Sequence, residues 1–117
     1  MKTRLTHVRI NVSNMARAVD WYESVLGFEP EGGWPRENPT YLGFSAAEGA
    51  VFSIMEVPTG KSYGRLNFLV EDVDELWERL RKRAEIVEPL ADTPWGTRKF
   101  TIADPDGNEL GFVQAGK

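Results

Sequence analysis

The chain has 117 residues, a formal net charge of −4 and no cysteine. Such a length suits one domain able to bury a core, and the missing thiols exclude disulfides, thiolate metal sites and cysteine nucleophiles. The acidic balance argues against a nucleic-acid partner, whose phosphates demand a basic face.

The first segment, MKTRLTHVRI, has no long apolar stretch, and nowhere does an apolar run approach the ~18 residues of a membrane span. Neither secretion nor membrane insertion is indicated, and the cytoplasm is the expected location. Residues 5–12, LTHVRINV, alternate strictly, with Val8, Ile10 and Val12 on one side and His7, Arg9 and Asn11 on the other. That pattern predicts a strand with one apolar and one polar face. Ser13 or Asn14 can cap a helix whose Met15, Ala18, Val19, Tyr22, Val25 and Leu26 share a stripe, and Gly27 supplies a left-handed stop. A short strand is expected to begin at Phe28–Glu29, followed by a Gly/Pro-rich loop over 31–39. Tyr41–Phe44 and Val51–Val57 read as a hairpin turning through 46–49, and Pro58–Gly64 as a linker.

The pattern then restarts. Leu66, Phe68 and Val70 form the apolar side of a strand over 65–70. Asp72 and Glu75 make a capping box for a helix carrying Val73, Leu76, Trp77 and Leu80. The basic run Arg79-Leu80-Arg81-Lys82-Arg83 closes this helix, where cations complement the dipole and solvent. Strands are expected over 86–90, 98–103 and 110–114, the last two joined by the turn Asp104-Pro105-Asp106-Gly107.

A displacement of 58 residues superposes Val8 on Leu66, Ile10 on Phe68, Val12 on Val70 and Tyr22 on Leu80. The fold class is therefore α+β, one domain over 1–117 made of two βαβββ modules, about 1–57 and 65–117, with 58–64 as linker.

The segments "HVRINVSNMARAVDWYESVLGFEP", "FLVEDVDELWERL" and "PWGTRKFTIADPDGNELGFV" resemble the vicinal oxygen chelate superfamily, which includes glyoxalase I, extradiol dioxygenases and bleomycin-resistance proteins. The last segment is most similar to the bleomycin-resistance branch. The resemblance implies curved sheets forming a cup, within a homodimer. It also implies metal-ligand positions on the first and last strand of each module, here His7, Ser53, Arg65 and Gly111. Of these only His7 binds a divalent metal well, and Arg65 brings a fixed positive charge. Glu109 shares the face of Gly111 but lies about 7 Å further along the strand. One imidazole and a displaced carboxylate fall short of three or four ligands, so neither metal nor cofactor is expected.

Alternation places His7, Arg9, Ser53, Arg65, Asn67, Glu109 and Gly111 toward the cup, with Trp34, Tyr41 and Trp95 at its mouth. Aromatic rings there would suit a planar ligand. Each residue also has a structural alternative: His7 bonded to Glu109 or backbone, Arg65 ion-paired with Glu109, Trp34 packed across a dimer interface. Small Ser53 and Gly111 suggest empty space between them. The function that follows is metal-independent binding of a small molecule, with antibiotic sequestration implied by the resemblance. The alternatives are a glyoxalase- or dioxygenase-like enzyme in the same cup, using His7 and Glu109 as acid and base, and an interaction module with a vestigial pocket.

Overall fold

Strict alternation in the first strand decides how the chain begins to fold. In the computed structural model, which describes residues 1–45 and 48–115, β1 (His7–Val12) buries Ile10 and Val12 and leaves His7 and Arg9 exposed. Next come α1 (Met15–Ser24), β2 (Pro30–Trp34), β3 (Tyr41–Phe44) and β4 (Val51–Glu56). The second half repeats the order with β5 (Arg65–Leu69), α2 (Val73–Leu80), β6 (Glu85–Asp92), β7 (Thr97–Ala103) and β8 (Glu109–Ala115). The chain divides into two compact units between Ser62 and Tyr63. Each unit holds a four-stranded sheet, ordered β1-β4-β3-β2 in the first and β5-β8-β7-β6 in the second. The pairs β1–β4 and β5–β8 are parallel and the others antiparallel. Among the described residues, no helix is long and apolar enough to cross a membrane.

Both helices start on a side-chain cap. Asn14 Oδ1 accepts the Arg17 N–H at 2.9 Å, and Asp72 Oδ1 accepts the Glu75 N–H at 3.1 Å, each satisfying an otherwise orphaned donor. A second device recurs with the period of the repeat. Glu56 Oε2 accepts the Met15 N–H at 2.7 Å, and Gln114 Oε1, 58 residues on, accepts the Val73 N–H at 2.7 Å. The last strand of each module thereby holds the helix that follows its first strand. Gly27, at φ +73°, ends α1 with its N–H on Glu23 O and the Phe28 N–H on Tyr22 O, the paired bonds of a left-handed helix stop.

Each sheet packs one face on its helix. In the first module Tyr22 is fully buried among Phe28, Phe44 and Phe52, with ring centroids 5.4 to 6.1 Å away. In the second, Trp77 and Phe112 both lie 5.3 Å from Phe100. Full burial of one such ring contributes on the order of 2–3 kcal/mol, so these clusters are a substantial part of each module's core.

One element departs from the sequence reading. The strand expected at Phe28–Glu29 lies later, at Pro30–Trp34, within the segment assigned to a loop. Pro30 is tolerated as the first residue of an edge strand, and a register shift between Pro30 and Gly32 accommodates the glycines. Two positions of the expected 46–49 turn, 46 and 47, lie outside the described residues.

The Asp104–Gly107 turn is a structural clasp. Buried Asp104 accepts the N–H groups of Asp106 (2.9 Å) and Asn108 (2.8 Å) on Oδ1 and the Asn108 side-chain amide (3.0 Å) on Oδ2. Asn108 Oδ1 in turn accepts the Gly64 N–H at 2.9 Å, and the Glu109 N–H donates to Gly64 O at 2.7 Å. Gly107 takes φ +83°, which its missing Cβ permits.

Candidate functional site

The sheet face turned away from the helix carries polar side chains in both modules, joined in the first by Tyr41 and Trp34. Cross-strand register orders them into rows. In the second module the rows run Arg65–Glu109–Ala103–Glu85, Asn67–Gly111–Thr101–Glu88 and Leu69–Val113–Lys99–Ala91. Arg65 Nη1 donates to Glu109 Oε1, directly opposite in the ladder, while Nη2 donates to Glu88 Oε1 at 2.7 Å. The Thr101 hydroxyl donates to the same Glu88 oxygen at 2.7 Å. These bonds, Thr101's first and then Arg65's, hold the Glu88 carboxyl below the ordinary glutamate range. Glu88, and then Glu109, raise the Arg65 guanidinium in turn. The ionic side chains stay partly wet, with Arg65 46%, Glu88 55% and Glu109 35% exposed.

Gly111 does not leave a void. A Cβ placed there would collide with Asn67 Oδ1 and come within 2.8 Å of Lys99 Cε, so those two side chains occupy the space. The emptiness expected at this position is corrected accordingly. The floor of the second module's open face is filled by its own residues.

The first module is furnished differently. Its rows run Asn11–Met55–Tyr41–Trp34, then Arg9–Ser53–Gly43–Gly32, with His7 opposite Val51 beyond. Ser53 is fully buried and its hydroxyl donates to Val8 O at 3.0 Å, so this position too is committed to the fold rather than vacant. Arg9 Nη1 lies 2.9 Å from Met55 Sδ, and no carboxylate among the described residues pairs with it. Trp34 is 72% exposed at the end of β2, on the same face as Tyr41 and Met55. A Cβ on Gly32 would meet nothing within 4 Å, and one on Gly43 would make ordinary contact with Val51 at 3.6 Å. His7 is exposed at the start of β1.

The sequence-predicted residues therefore fall into two sets. His7, Arg9, Trp34, Tyr41 and Ser53 share the first module's open face, while Arg65, Asn67, Glu109 and Gly111 share the second's. Trp95, 74% exposed, stands in the β6–β7 turn, which Thr93 and Thr97 hold together through their hydroxyls at 2.7 Å. Sequence reasoning missed Glu88 and Lys99. Simple alternation would align Glu88 with Ile86 on the helix side. Register shifts on either side of Glu88 bring it opposite Thr101 on the open face instead. Gly32 and Gly43 were also missed, since nothing in their identity marks a face.

The metal that the superfamily implies does not fit these positions. Ser53 commits its hydroxyl to the backbone, Arg65 is a cation with two carboxylate partners, and Gly111 has no donor. Among the described residues, no group of three or more His, Asp or Glu is placed to hold a metal ion.

Two tandem βαβββ modules, each with its first strand parallel to its last, define the class of paired-module sheet proteins to which this architecture corresponds. The chain belongs to the Glyoxalase/Bleomycin resistance protein/Dioxygenase superfamily, whose family model matches residues 4–112. It is 26% identical to the lactoylglutathione lyase of Neisseria meningitidis serogroup A, covering 95% of this chain and 90% of the relative. It is also 26% identical to a trivalent organoarsenical cleaving enzyme of Bacillus sp. strain MD1, covering 93% of this chain and 71% of that one. Among solved structures, TnmS3, an antibiotic binding protein from Streptomyces sp. CB03234, superposes with a TM-score of 0.81 at 26% identity, covering 97% of each chain. TioX from Micromonospora sp. ML1 gives 0.81 at 25% identity, covering 97% of this chain and 99% of its own.

Proposed function

We propose that this protein is a metal-independent binder of a small molecule, sequestering an antibiotic or similar compound in the cytoplasm as a homodimer. One observation carries the reading. Of the four positions where the superfamily's metalloenzymes place ligands, three hold Ser53, Arg65 and Gly111, each bonded internally or without a donor, while exposed aromatic and cationic groups remain on the same sheet faces. Similarity to an antibiotic binding protein at 26% identity and nearly full coverage supports it. The candidate contacts are His7, Arg9, Trp34, Tyr41, Arg65, Asn67, Trp95 and Glu109; Ser53, fully buried, and Gly111, covered by Asn67 and Lys99, support the face from beneath. Arg65 and Glu109 act mainly through each other.

The competing reading is an enzyme. It draws on the two enzyme relatives and on His7, whose exposed imidazole could serve as an acid or base.

The test is a thermal-shift screen of aromatic and glycopeptide antibiotics with and without a chelator, paired with sedimentation. A true ligand at a hundredfold excess over its Kd should raise the midpoint by roughly 10 °C, equally in the presence of chelator. Sedimentation should give a dimer. Chelator-sensitive turnover of a glutathione hemithioacetal, abolished by His7→Ala, would overturn the binding reading, and a species of monomer mass alone would overturn the dimer.

A further inference from the structure

We propose that Met55 is an oxidation site on the first module's open face, whose thioether takes one oxygen atom from a hydroperoxide and whose sulfoxide is then held by the Arg9 guanidinium. The inference stands apart from the binding function and needs no ligand.

The three methionines of the chain occupy different surroundings. Met15, in the first turn of α1, is 6% exposed, and Met1 at the N-terminus is fully exposed. Met55 lies between these extremes, on β4, with Asn11 and Tyr41 as its ladder neighbours. Because β4 is bonded to a strand on each side, the Met55 backbone is fixed. Arg9 faces Ser53 in the parallel ladder and reaches diagonally to the next residue of that face. Its Nη1 lies 2.9 Å from Met55 Sδ, in a contact at the exposed surface.

The acceptor is a poor match for its donor. A guanidinium carries five N–H groups, and a thioether sulfur accepts only weakly. Arg65 is bonded to Glu88 and Glu109, and Arg98 to Asp74 and Asp92, whereas no carboxylate among the described residues pairs with Arg9. Oxidation supplies the stronger acceptor. A sulfoxide oxygen carries the negative end of the S–O dipole, so a charge-assisted N–H···O bond replaces the N–H···S contact. Arg9 is exposed, and a side-chain rotation brings its remaining donors to the new oxygen.

The step balances with one co-reactant. Arg9 takes one of the two sulfur lone pairs, and the other attacks the terminal oxygen of the hydroperoxide. The S–O bond forms and the O–O bond breaks. The hydroxyl proton passes to the departing oxygen, releasing water from hydrogen peroxide or an alcohol from an alkyl hydroperoxide. Sulfur loses two electrons and the peroxide gains them. Negative charge builds on the departing oxygen, and a guanidinium fixed beside the sulfur stabilises it there. The product sets a polar group beside Tyr41, and sulfoxide reductases can reverse the change.

The full chain is treated with dilute hydrogen peroxide under native conditions, and each methionine is followed by peptide mass spectrometry. Met1 is the freely exposed reference within the same molecule. Met55 should convert within about three-fold of the Met1 rate, and Met15 at least about ten-fold more slowly. Arg9→Gln should slow Met55 about five-fold, the effect of one hydrogen bond to the departing oxygen, and leave Met1 unchanged. Arg9→Lys should fall between the two. Oxidised wild-type protein should melt within about 2 °C of the reduced form, and oxidised Arg9→Gln should lose several degrees more. Met55→Leu should remove the oxidation-linked change in melting. A Met55 that stays reduced while Met1 converts would overturn the proposal. Rates and melting shifts that are the same with and without Arg9 would overturn it too. Should Arg9→Gln fail to fold, Arg9→Ala takes its place, and the rate of Met55 against Met1 in the wild-type chain remains decisive.

Discussion

The two modules share a strand order, a helix lock and a repeat spacing, yet their open faces are furnished in opposite ways. In the second, the first-strand cation Arg65 is held by two glutamates, and the bare Gly111 is covered by Asn67 and Lys99. In the first, no carboxylate among the described residues pairs with the cation Arg9, a Cβ would find open space at Gly32 and ordinary contact at buried Gly43, and Trp34 stands out in solvent. A duplicated scaffold can therefore keep the buried half of each sheet alike while specialising the outer half. One module invests its polar groups in itself, and the other leaves them available.

The largest expected effect tests how far the second module depends on its own polar bonds. Asp104→Ala removes the acceptor for two backbone N–H groups and one side-chain amide, and should cost about 2–3 kcal/mol in denaturant unfolding. The first module has alanine, Ala50, at the position equivalent to Asn108, so it does not rely on such a clasp. A loss below half a kcal/mol would mean that the clasp follows the fold and does not help hold it.

Matched glycine substitutions sharpen the contrast between a floor with no room for a Cβ and one with room for it. Gly111→Ala must displace Asn67 and Lys99 and should cost about 1 kcal/mol, because both obstructing groups are flexible side-chain ends. Gly43→Ala should leave the thermal midpoint within a degree or two. Equal costs would erase the distinction.

The smallest effect concerns charge. Glu88 has a lower carboxyl value folded than unfolded, so its contribution is fully present above the ordinary glutamate value of about 4.3 and is lost as pH falls through the native value. With Glu88 and Arg65 both about half exposed, Glu88→Gln should cost less than about 1 kcal/mol at neutral pH and flatten the acid limb of the stability profile. An unchanged acid limb would show that the network adds nothing to the fold.

Much of this was legible in the residues. Alternation in 5–12 and 65–70, the caps Asn14 and Asp72 and the 58-residue spacing each have a local cause, so they could be read without a partner strand. Shared sheet face made an Arg65–Glu109 ion pair one of two alternatives for Arg65, the other being a ligand contact, and the structure forms the pair. What escaped depends on tertiary events with no local sign. The irregularity that turns Glu88 to the open face is a property of two strands together, and the seating of Asn67 and Lys99 over Gly111 depends on rotamers across three. The edge strand at Pro30–Trp34 escaped because proline and two glycines carry a loop's propensity.

The tie between Asn108 and Gly64 bears on how the second sheet finds its alignment. Adjacent parallel strands have no hairpin turn to count residues for them, and a slip of two would keep the same faces buried and so go unpunished by the core. Here the chain joins positions 44 and 45 residues apart where β5 and β8 begin, through the Gly64 amide on Asn108 and the Glu109 amide on Gly64. Both strands are thereby anchored at one point, consistent with the single alignment that sets Arg65 opposite Glu109 rather than opposite Gly111. The segment DPDGN thus acts as the ruler of the sheet, a task belonging to assembly and not to chemistry.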